Sequence, residues 1–320
     1  MKYLIFFITF LFMSCQNEIV QQRNSGAVFG TTYSIIYDSS EHFKDEFEQI
    51  FQDINQSMST YIPNSIISKV NKNKTTKIDT QFRTVFETSK LIFKATHGRF
   101  DPTIGAVVNA WDFGPEGKIQ ELDSVKINTL MQSVGLDKVS IESFQIKKPK
   151  ATIIDFNAIA KGYGVDRIGQ FLKSKNVSNY LVEIGGEIVC RGINSKKNSA
   201  WNIGIQNPNV ESDVPYFNTV TLNNEAMATS GTYRKYKIDE NGRRYTHIID
   251  TKTGYPSRTN ILSVSVITKN CMTADAYATA LQTMKMDELT LFLAQHPELK
   301  VHIIFENEHK ELTFKSFNGF

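Results

Sequence analysis

The stretch that decides the fold is DFNAIAKGYGVD, at residues 155–166. The apolar residues 151–156 predict a short strand, and it runs directly into a helical pattern whose apolar face includes Val165 and Leu172. Backbone N–H groups at the start of such a helix, with Lys161 one turn in, would form a favourable site for an anionic phosphate. A helix that merely contains two poorly placed glycines is the alternative interpretation.

Hydrophobic patterns on both sides of this stretch predict an α+β fold. Residues 30–37 predict a strand, residues 43–58 a helix capped by Asp38, Ser39 or Ser40, and residues 82–93 a second helix that stops at Gly98. A further helix is predicted over residues 273–285. Additional strands are predicted at residues 151–156, 180–190, 201–206, 216–222, 243–250, 260–268 and 300–305. We therefore expect mixed or antiparallel sheets with packed helices, in one large domain or two fused lobes.

The composition is that of an ordinary globular protein. The 320 residues are 41% hydrophobic and 22% charged, close to the averages for soluble domains. Lys and Arg number 36 against 33 Asp and Glu, which gives a formal charge of +3. This charge is too small and too dispersed to indicate nucleic acid as a partner.

The N-terminus predicts export and a lipid anchor. Lys2 precedes the apolar run 3–13, which is too short to span a bilayer but has the length of a secretory signal. Cys15 follows a small residue, as at a bacterial lipoprotein processing site, although a cleaved signal with an incidental cysteine is the alternative. We therefore expect a signal peptide over residues 1–15 with a lipidated Cys15. Polar residues 16–25 would form a tether, and the protein would lie on the extracytoplasmic face of the cell envelope.

The remaining cysteines, Cys190 and Cys271, leave two possibilities open. They could form one disulfide, or they could lie buried separately as small apolar residues. Without a nearby pair of histidines, two cysteines do not indicate a metal site.

Residues 273–279, TADAYAT, present oxygen atoms at helical spacing. Thr273 can cap the helix, and Asp275 and Thr279 are four residues apart, so their side chains lie on one face. A carboxylate and a hydroxyl suit Mg²⁺, which takes few protein ligands and retains waters or binds substrate phosphates. The alternative is an acidic residue placed in the first helical turn for stability alone.

His247 is the candidate general base. It lies in YTHIIDTKTGYP, residues 245–256, at the end of an alternating pattern and just before a Gly/Pro turn. An imidazole with a pKa near 6.5 can take a proton from a hydroxyl nucleophile. A structural histidine is the alternative, since a single histidine is not specific.

Taken together and in this order, these segments resemble the bacterial FAD:protein FMN transferase family, the ApbE-like flavin transferases. The resemblance extends from Phe29 to the helix after Asp275, which is most of the chain. It also includes four shorter segments: GRFDPTIG at 98–105, VNAW at 108–111, EIGG at 183–186 and TSG at 229–231.

The resemblance implies a role for each matching residue and a T-fold-like, two-lobed catalytic domain over residues 26–320. The residues implied to line the FAD site are Phe29, Arg99, Phe100, Asp101, Asp155, Lys161 and Ile249. The implied Mg²⁺ ligands are Asp275, Thr279 and the backbone carbonyl of Ala158. His247 and Asp275 are implied to be catalytic.

The reaction implied is an attack by a Thr or Ser hydroxyl of an acceptor protein on the FMN phosphorus of FAD, with AMP leaving. The acceptor would be an extracytoplasmic redox subunit. The chain departs from the family pattern at Phe29, usually Met, at Asn157, often Gly or Ser, and at Thr251, commonly Pro. Two alternatives stay open: a Mg²⁺-dependent FAD pyrophosphatase that uses water, and a flavin-binding lipoprotein without chemistry.

Overall fold

The computed structural model describes residues 19–209, 213–233, 235–238, 242 and 244–320. The predicted signal peptide and Cys15 lie outside the described residues. Within the described ranges, no helix has both the length and the apolar character needed to cross a bilayer.

The described chain alternates between strands and helices. The strands are β1 (Val20–Val28), β2 (Thr31–Ser39), β3 (Ser140–Glu142), β4 (Gln145–Lys147), β5 (Tyr180–Ile184), β6 (Glu187–Arg191), β7 (Trp201–Gln206), β8 (Tyr216–Leu222), β9 (Ala226–Gly231), β10 (Tyr236–Ile238), β11 (Arg244–Thr246), β12 (Ile261–Thr268), β13 (Lys300–Glu306) and β14 (Leu312–Phe317). The helices are α1 (Lys44–Met58), α2 (Ile66–Asn71), α3 (Thr80–Ala95), α4 (Gly105–Ala110), α5 (Ser124–Met131), α6 (Ala160–Ser174), α7 (Cys271–Gln282) and α8 (Met286–Gln295).

Eight of these strands form one antiparallel sheet in the order β1-β2-β5-β6-β9-β12-β13-β14. Alternate residues of β2, namely Tyr33, Ile35 and Tyr37, are buried, as expected for a strand with one face on the core. Helices α6 and α7 lie side by side on the sheet, and α1 and α3 pack on these two helices. The predicted α+β class is confirmed, and the main core lies between the sheet and these helices.

Several local predictions were wrong. Residues 151–156 do not form a strand. Within this segment, Ile153 forms an isolated parallel β-bridge with Ile104. The long strand predicted over residues 180–190 is a hairpin, because Gly185 and Gly186 turn the chain between β5 and β6. Of the strand predicted over residues 243–250, β11 covers only Arg244–Thr246.

Two predicted boundaries also shift. Helix α1 begins after Phe43, which has no side-chain cap in the described structure, so none of the predicted capping residues at 38–40 is used. The predicted tether over residues 16–25 is too long at its C-terminal end, because β1 begins at Val20 and pairs along its length with β2. The polar edge strand β1 is ordered by its antiparallel pairing with β2, which has one face buried in the core.

Close contact between α6 and α7 depends on Gly162. A Cβ atom at this position would lie 2.4 Å from the carbonyl oxygen of Cys271, so only glycine permits the approach. Across the same contact, the Asp166 carboxylate accepts hydrogen bonds from the backbone N–H groups of Cys271 (2.8 Å) and Met272 (2.9 Å). This arrangement fixes where α7 begins relative to α6.

Both Cys190 and Cys271 are buried free thiols in the described structure. The disulfide alternative therefore does not apply to this pair, and each side chain packs as a small apolar group. Burial raises the pKa of the Cys190 thiol to about 11.

Candidate active site

One cavity of about 280 Å³ collects residues from distant parts of the chain. Ten of the site residues predicted from the sequence line it: Arg99, Phe100, Asp101, Asp155, Ala158, Lys161, His247, Ile249, Asp275 and Thr279. The sheet contributes Gly185 and Glu187 from the β5–β6 turn. The structure thus brings together the three motifs at residues 155–166, 245–256 and 273–279.

The floor of the cavity is formed by three charged side chains, Lys161, Glu187 and Asp275. The Lys161 ammonium nitrogen lies 3.1 Å from Glu187 Oε1 and 3.7 Å from Asp275 Oδ1. Both carboxylates are buried, with 3% of each residue exposed. A cation held between two buried anions is what keeps these charges compatible with a low-dielectric site.

The pKa values of this charged floor reflect burial and pairing. Burial raises the pKa of Glu187, while the attraction of the Lys161 ammonium opposes this increase and stabilises the carboxylate. Burial disfavours the charged form of Lys161 as well, but the neighbouring Asp275 and Glu187 outweigh it and raise the Lys161 pKa. Lys161 therefore carries its positive charge into the cavity throughout the physiological pH range.

At the start of α6, where the sequence predicted an anion site, several backbone N–H groups already have partners within the protein. The N–H of Gly162 donates to Asp275 Oδ2 at 3.0 Å, and the N–H groups of Ile159 and Ala160 donate to the Phe156 carbonyl. These groups are satisfied within the protein, so the charge available to an anion at this position is that of Lys161.

Asp275 and Thr279 lie on one face of α7 and both line the cavity, as their spacing predicted. The Thr279 hydroxyl is 3.0 Å from the hydroxyl of Ser230 on β9. The helix is capped by Asn270, whose side chain accepts from the Thr273 N–H at 2.9 Å, so the predicted cap at Thr273 was wrong.

The oxygen atoms in this part of the cavity fit a hard divalent cation. Asp275 supplies a carboxylate, Thr279 a hydroxyl and Ala158 a backbone carbonyl, which are the ligand types that Mg²⁺ prefers. Within the described residues, no cluster of three or more His, Cys, Asp or Glu side chains could hold a metal. The predicted ligand set contains only one residue of those types, so that finding does not test it.

His247 faces the opposite side of the cavity with its tautomer set by the backbone. Its Nδ1 lies 2.9 Å from the carbonyl oxygen of Lys235, which can only accept, so Nδ1 carries the proton and Nε2 has the lone pair. Burial lowers the pKa of His247 to about 4, and the positive charges of Lys235 and Lys161 act in the same direction. The imidazole is therefore neutral at pH 7.

An aromatic rim, defined as Trp111, Phe113, Tyr245 and Tyr255, contacts this histidine through Phe113. The Phe113 ring lies edge-on to His247 with centroids 6.2 Å apart, and Trp111 contacts both tyrosines. The Trp111 indole N–H donates to the Gly254 carbonyl at 2.9 Å, which ties α4 to the turn after His247.

Arg99 connects this turn to α8. Its guanidinium makes two hydrogen bonds of 2.9 and 2.8 Å to the Glu288 carboxylate and one of 3.2 Å to Asp250. The Thr251 hydroxyl also donates to the Gly98 carbonyl at 2.6 Å. Arg99 is thus already paired within the protein, and its planar donors orient the His247 segment.

Asp101 and Asp155 shape the wall between these two sides. Asp101 accepts from the backbone N–H and hydroxyl of Thr103 at 2.8 and 2.6 Å, and burial raises the pKa of its carboxyl. Asp155 accepts from the backbone and side chain of Asn157 at 2.8 and 3.1 Å, and burial raises its pKa too. Both carboxylates organise local turns while lining the cavity.

Residues 29–303 match the sequence profile of the ApbE family. The chain belongs to the ApbE family. The match covers strands β2 to β12, both helices of the floor and the His247 segment.

Curated ApbE-family relatives are similar over nearly their whole length. A FAD:protein FMN transferase of Haemophilus influenzae is 36% identical, over 96% of this chain and 92% of its own length. One of Vibrio cholerae is 33% identical, over 97% and 96% of the two chains.

Solved ApbE structures show the same fold. The flavin transferase ApbE of Vibrio cholerae superposes with a TM-score of 0.85 at 31% identity, covering 95% of this chain and 99% of that one. The apo form of the Pseudomonas stutzeri flavinyl transferase ApbE gives 0.83 at 27% identity, covering 93% and 95%.

Phe29 is the one predicted site residue of this ApbE-family chain that does not line the cavity. Its ring lies edge-on to Phe51 with centroids 5.6 Å apart, and it packs where a Cβ on Gly164 would come within 2.9 Å. Its φ of 50° places it in the left-handed region, just before Gly30. Its predicted flavin contact stays a prediction.

Sequence reasoning gave no role to several residues that line the cavity in this ApbE-family chain, among them Glu187, Ser230 and Lys235. Glu187 directly follows the Gly185-Gly186 pair, so the turn itself was a usable signal for a displayed side chain. Ser230 lies in the TSG segment at residues 229–231, but no role is predicted for it from the sequence alone. Lys235 gave no local signal, because its contribution is a backbone carbonyl and a charge that only folding brings to His247.

Proposed function

We propose that this chain transfers FMN from FAD to a Thr or Ser hydroxyl of an acceptor protein, in a Mg²⁺-dependent reaction that releases AMP. One observation carries the proposal: a single cavity holds a half-buried cationic Lys161, the oxygen pair of Asp275 and Thr279, and a neutral His247. A phosphate-binding cation, a site for a hard metal and a base are the parts that such a transfer needs. The names of the curated relatives support the same activity.

The floor would bind the pyrophosphate. Lys161 offers a positive charge on a side chain that is 29% exposed, so part of the ammonium faces the cavity while its two carboxylate partners lie beneath it. Asp275, Thr279 and the Ala158 carbonyl would hold Mg²⁺. The ion, when bound, would offset negative charge on the phosphates. Gly162 anchors Asp275 through its N–H and so fixes the carboxylate for this role.

His247 would accept the proton of the acceptor hydroxyl at Nε2. The acceptor oxygen forms a new bond to the FMN phosphorus, the bond from that phosphorus to the bridging oxygen breaks, and AMP departs with the bonding electrons. The Lys235 carbonyl holds the proton on Nδ1 and so keeps Nε2 free to act. A low pKa keeps the imidazole unprotonated at neutral pH.

The site would act outside the cytoplasm, on a chain anchored by a lipid on Cys15. The apolar run before Cys15 in the sequence supports export. Since β1 begins at Val20, only a few residues would separate the lipid from the folded sheet. The acceptor would then be an extracytoplasmic redox subunit near the membrane surface.

The test is to incubate mature protein with FAD, Mg²⁺ and a candidate acceptor, and then to separate the products on a denaturing gel. A flavin-fluorescent acceptor band together with AMP release is expected. Rapid release of FMN and AMP without an acceptor would instead favour a pyrophosphatase. Bound FAD that stays intact with Mg²⁺ and every acceptor would indicate a flavin-binding protein and contradict the proposal.

A further inference from the structure

Glu187 occupies a position in the cavity floor that the predicted site leaves without a role. Gly185 and Gly186, with φ of 62° and 102°, turn the chain so that Glu187 is the first residue of β6. Its side chain is 4% exposed and lines the cavity. Oε1 lies 3.1 Å from the Lys161 ammonium, whereas Oε2 is buried and has no hydrogen-bond partner among the described residues.

Stability alone does not account for this side chain. An ionised carboxylate in a buried site is costly, and an oxygen left without a donor adds to the cost. Apolar side chains of similar volume in place of both Glu187 and Lys161 would avoid these penalties, as replacements of whole buried ion pairs show. The placement of Glu187 therefore indicates a function in the cavity.

Lys161 has two anionic neighbours and lies between them. Its ammonium is closer to Glu187 (3.1 Å) than to Asp275 (3.7 Å). The proposed function gives Asp275 to a divalent cation, and an ammonium resting on the same carboxylate would repel that cation. Lys161 must then be held elsewhere, and the ammonium has three donors for which the unpaired Oε2 of Glu187 is an available acceptor.

We propose that Glu187 is a positioning residue: it competes with Asp275 for the Lys161 ammonium, so that Asp275 can bind a divalent cation. This inference rests on the proposed function of the same cavity. Without Glu187, Lys161 would pair with Asp275 alone and compete with the cation. With Glu187, the ammonium stays beside the cation and both charges face the pyrophosphate.

The experiment is a Mn²⁺ titration of the purified protein without FAD or acceptor. Electron paramagnetic resonance measures the free Mn²⁺ at each step and so gives the Mn²⁺ affinity. Four proteins form a double-mutant cycle: wild type, Glu187→Gln, Lys161→Met and the double variant. Glu187→Gln is expected to weaken Mn²⁺ binding on the order of tenfold, and adding Lys161→Met should restore most of the loss. In the wild-type background, Lys161→Met should change the affinity far less.

Additive effects would overturn the inference, because they would mean that the two charges act on the metal independently. Glu187→Asp provides a second variant. It keeps the negative charge, but its shorter side chain places the carboxylate farther from the Lys161 ammonium. It is expected to weaken Mn²⁺ binding in the same direction, and an unchanged affinity would contradict the positioning role. If Asp275→Asn leaves Mn²⁺ affinity unchanged, the metal assignment fails, and the inference about Glu187 fails with it. Loss of coupling alone would leave the proposed function standing.

Discussion

The two sides of the cavity are built in different ways. The floor consists of Lys161, Glu187 and Asp275 on buried elements, with α6 and α7 in backbone contact at Gly162. The side opposite, around His247, consists of short strand β11, a turn and the aromatic rim, held by ring contacts and single hydrogen bonds. The charged side chains of the floor are therefore held rigidly where the phosphates would bind. His247, the proposed base, lies on a segment with fewer supporting contacts.

Among these variants, Asp275→Asn on the floor of the cavity should have the largest effect on activity. The amide keeps an acceptor for the Gly162 N–H but removes the anionic oxygen for the cation, so FMN transfer is expected to fall on the order of a thousandfold. Because Asp275 is buried rather than surface-facing, Asn is a safer replacement than Ala. Initial rates of acceptor labelling measure the loss, and Asp287→Asn on the exposed start of α8 is the matched control. A wild-type rate in Asp275→Asn would rule out the metal role.

His247→Gln tests the opposite side. Loss of a general base should lower kcat about 10²- to 10⁴-fold at saturating FAD, while FAD affinity stays near that of the wild type because the floor is intact. The matched control is His309→Gln, at an exposed position far along the chain. Turnover close to the wild-type value in His247→Gln would show that the cavity uses another base.

The pH dependence of stability tests whether His247 is buried in its neutral form, unlike the charged side chains of the floor. Burial lowers the pKa of His247 to about 4, below its usual 6.5, so between these values the unfolded chain binds a proton that the folded chain does not. Wild-type protein should therefore lose stability relative to His247→Gln as the pH falls from 6.5 to 4, by about 2–3 kcal/mol. Above pH 6.5 the difference between the two proteins should be constant. Denaturant unfolding at several pH values measures it, and parallel curves throughout would contradict the buried, neutral state.

Gly162→Ala tests the close contact beneath the floor. Its Cβ would meet the Cys271 carbonyl at 2.4 Å, and separating α6 from α7 is expected to cost about 1–3 kcal/mol of unfolding free energy. Gly169→Ala is the matched control in the same helix, since its Cβ would approach side chains rather than backbone: Val189 at 3.2 Å and Tyr180 at 3.5 Å. Equal stability of the two variants would show that the helices tolerate separation.

The sequence predicted the fold class and the grouping of the motifs well, because amphipathic helices and alternating strands follow from local periodicity. Asp275 and Thr279 share a face of α7 as their spacing required. Turn geometry was harder: Gly185 and Gly186 were placed inside a strand, although two residues with positive φ end one.

What could not be predicted depends on contacts between distant segments. The capping role of Asn270 depends on where Asp166 fixes the start of α7. The pairing of Glu187 with Lys161 joins β6 to α6 across the cavity, and nothing local in either segment specifies it. Burial of such groups emerges only from the packed structure, which is why the charge distribution of the floor was not foreseen.

The most direct test of the central claim is a crystal structure of the protein with FAD and Mn²⁺, in which anomalous scattering locates the ion. The account predicts an ion in contact with Asp275 and Thr279, and the FAD pyrophosphate beside the Lys161 ammonium with the imidazole of His247 facing it. A nucleotide bound outside this cavity, or an ion held by other residues, would contradict the account.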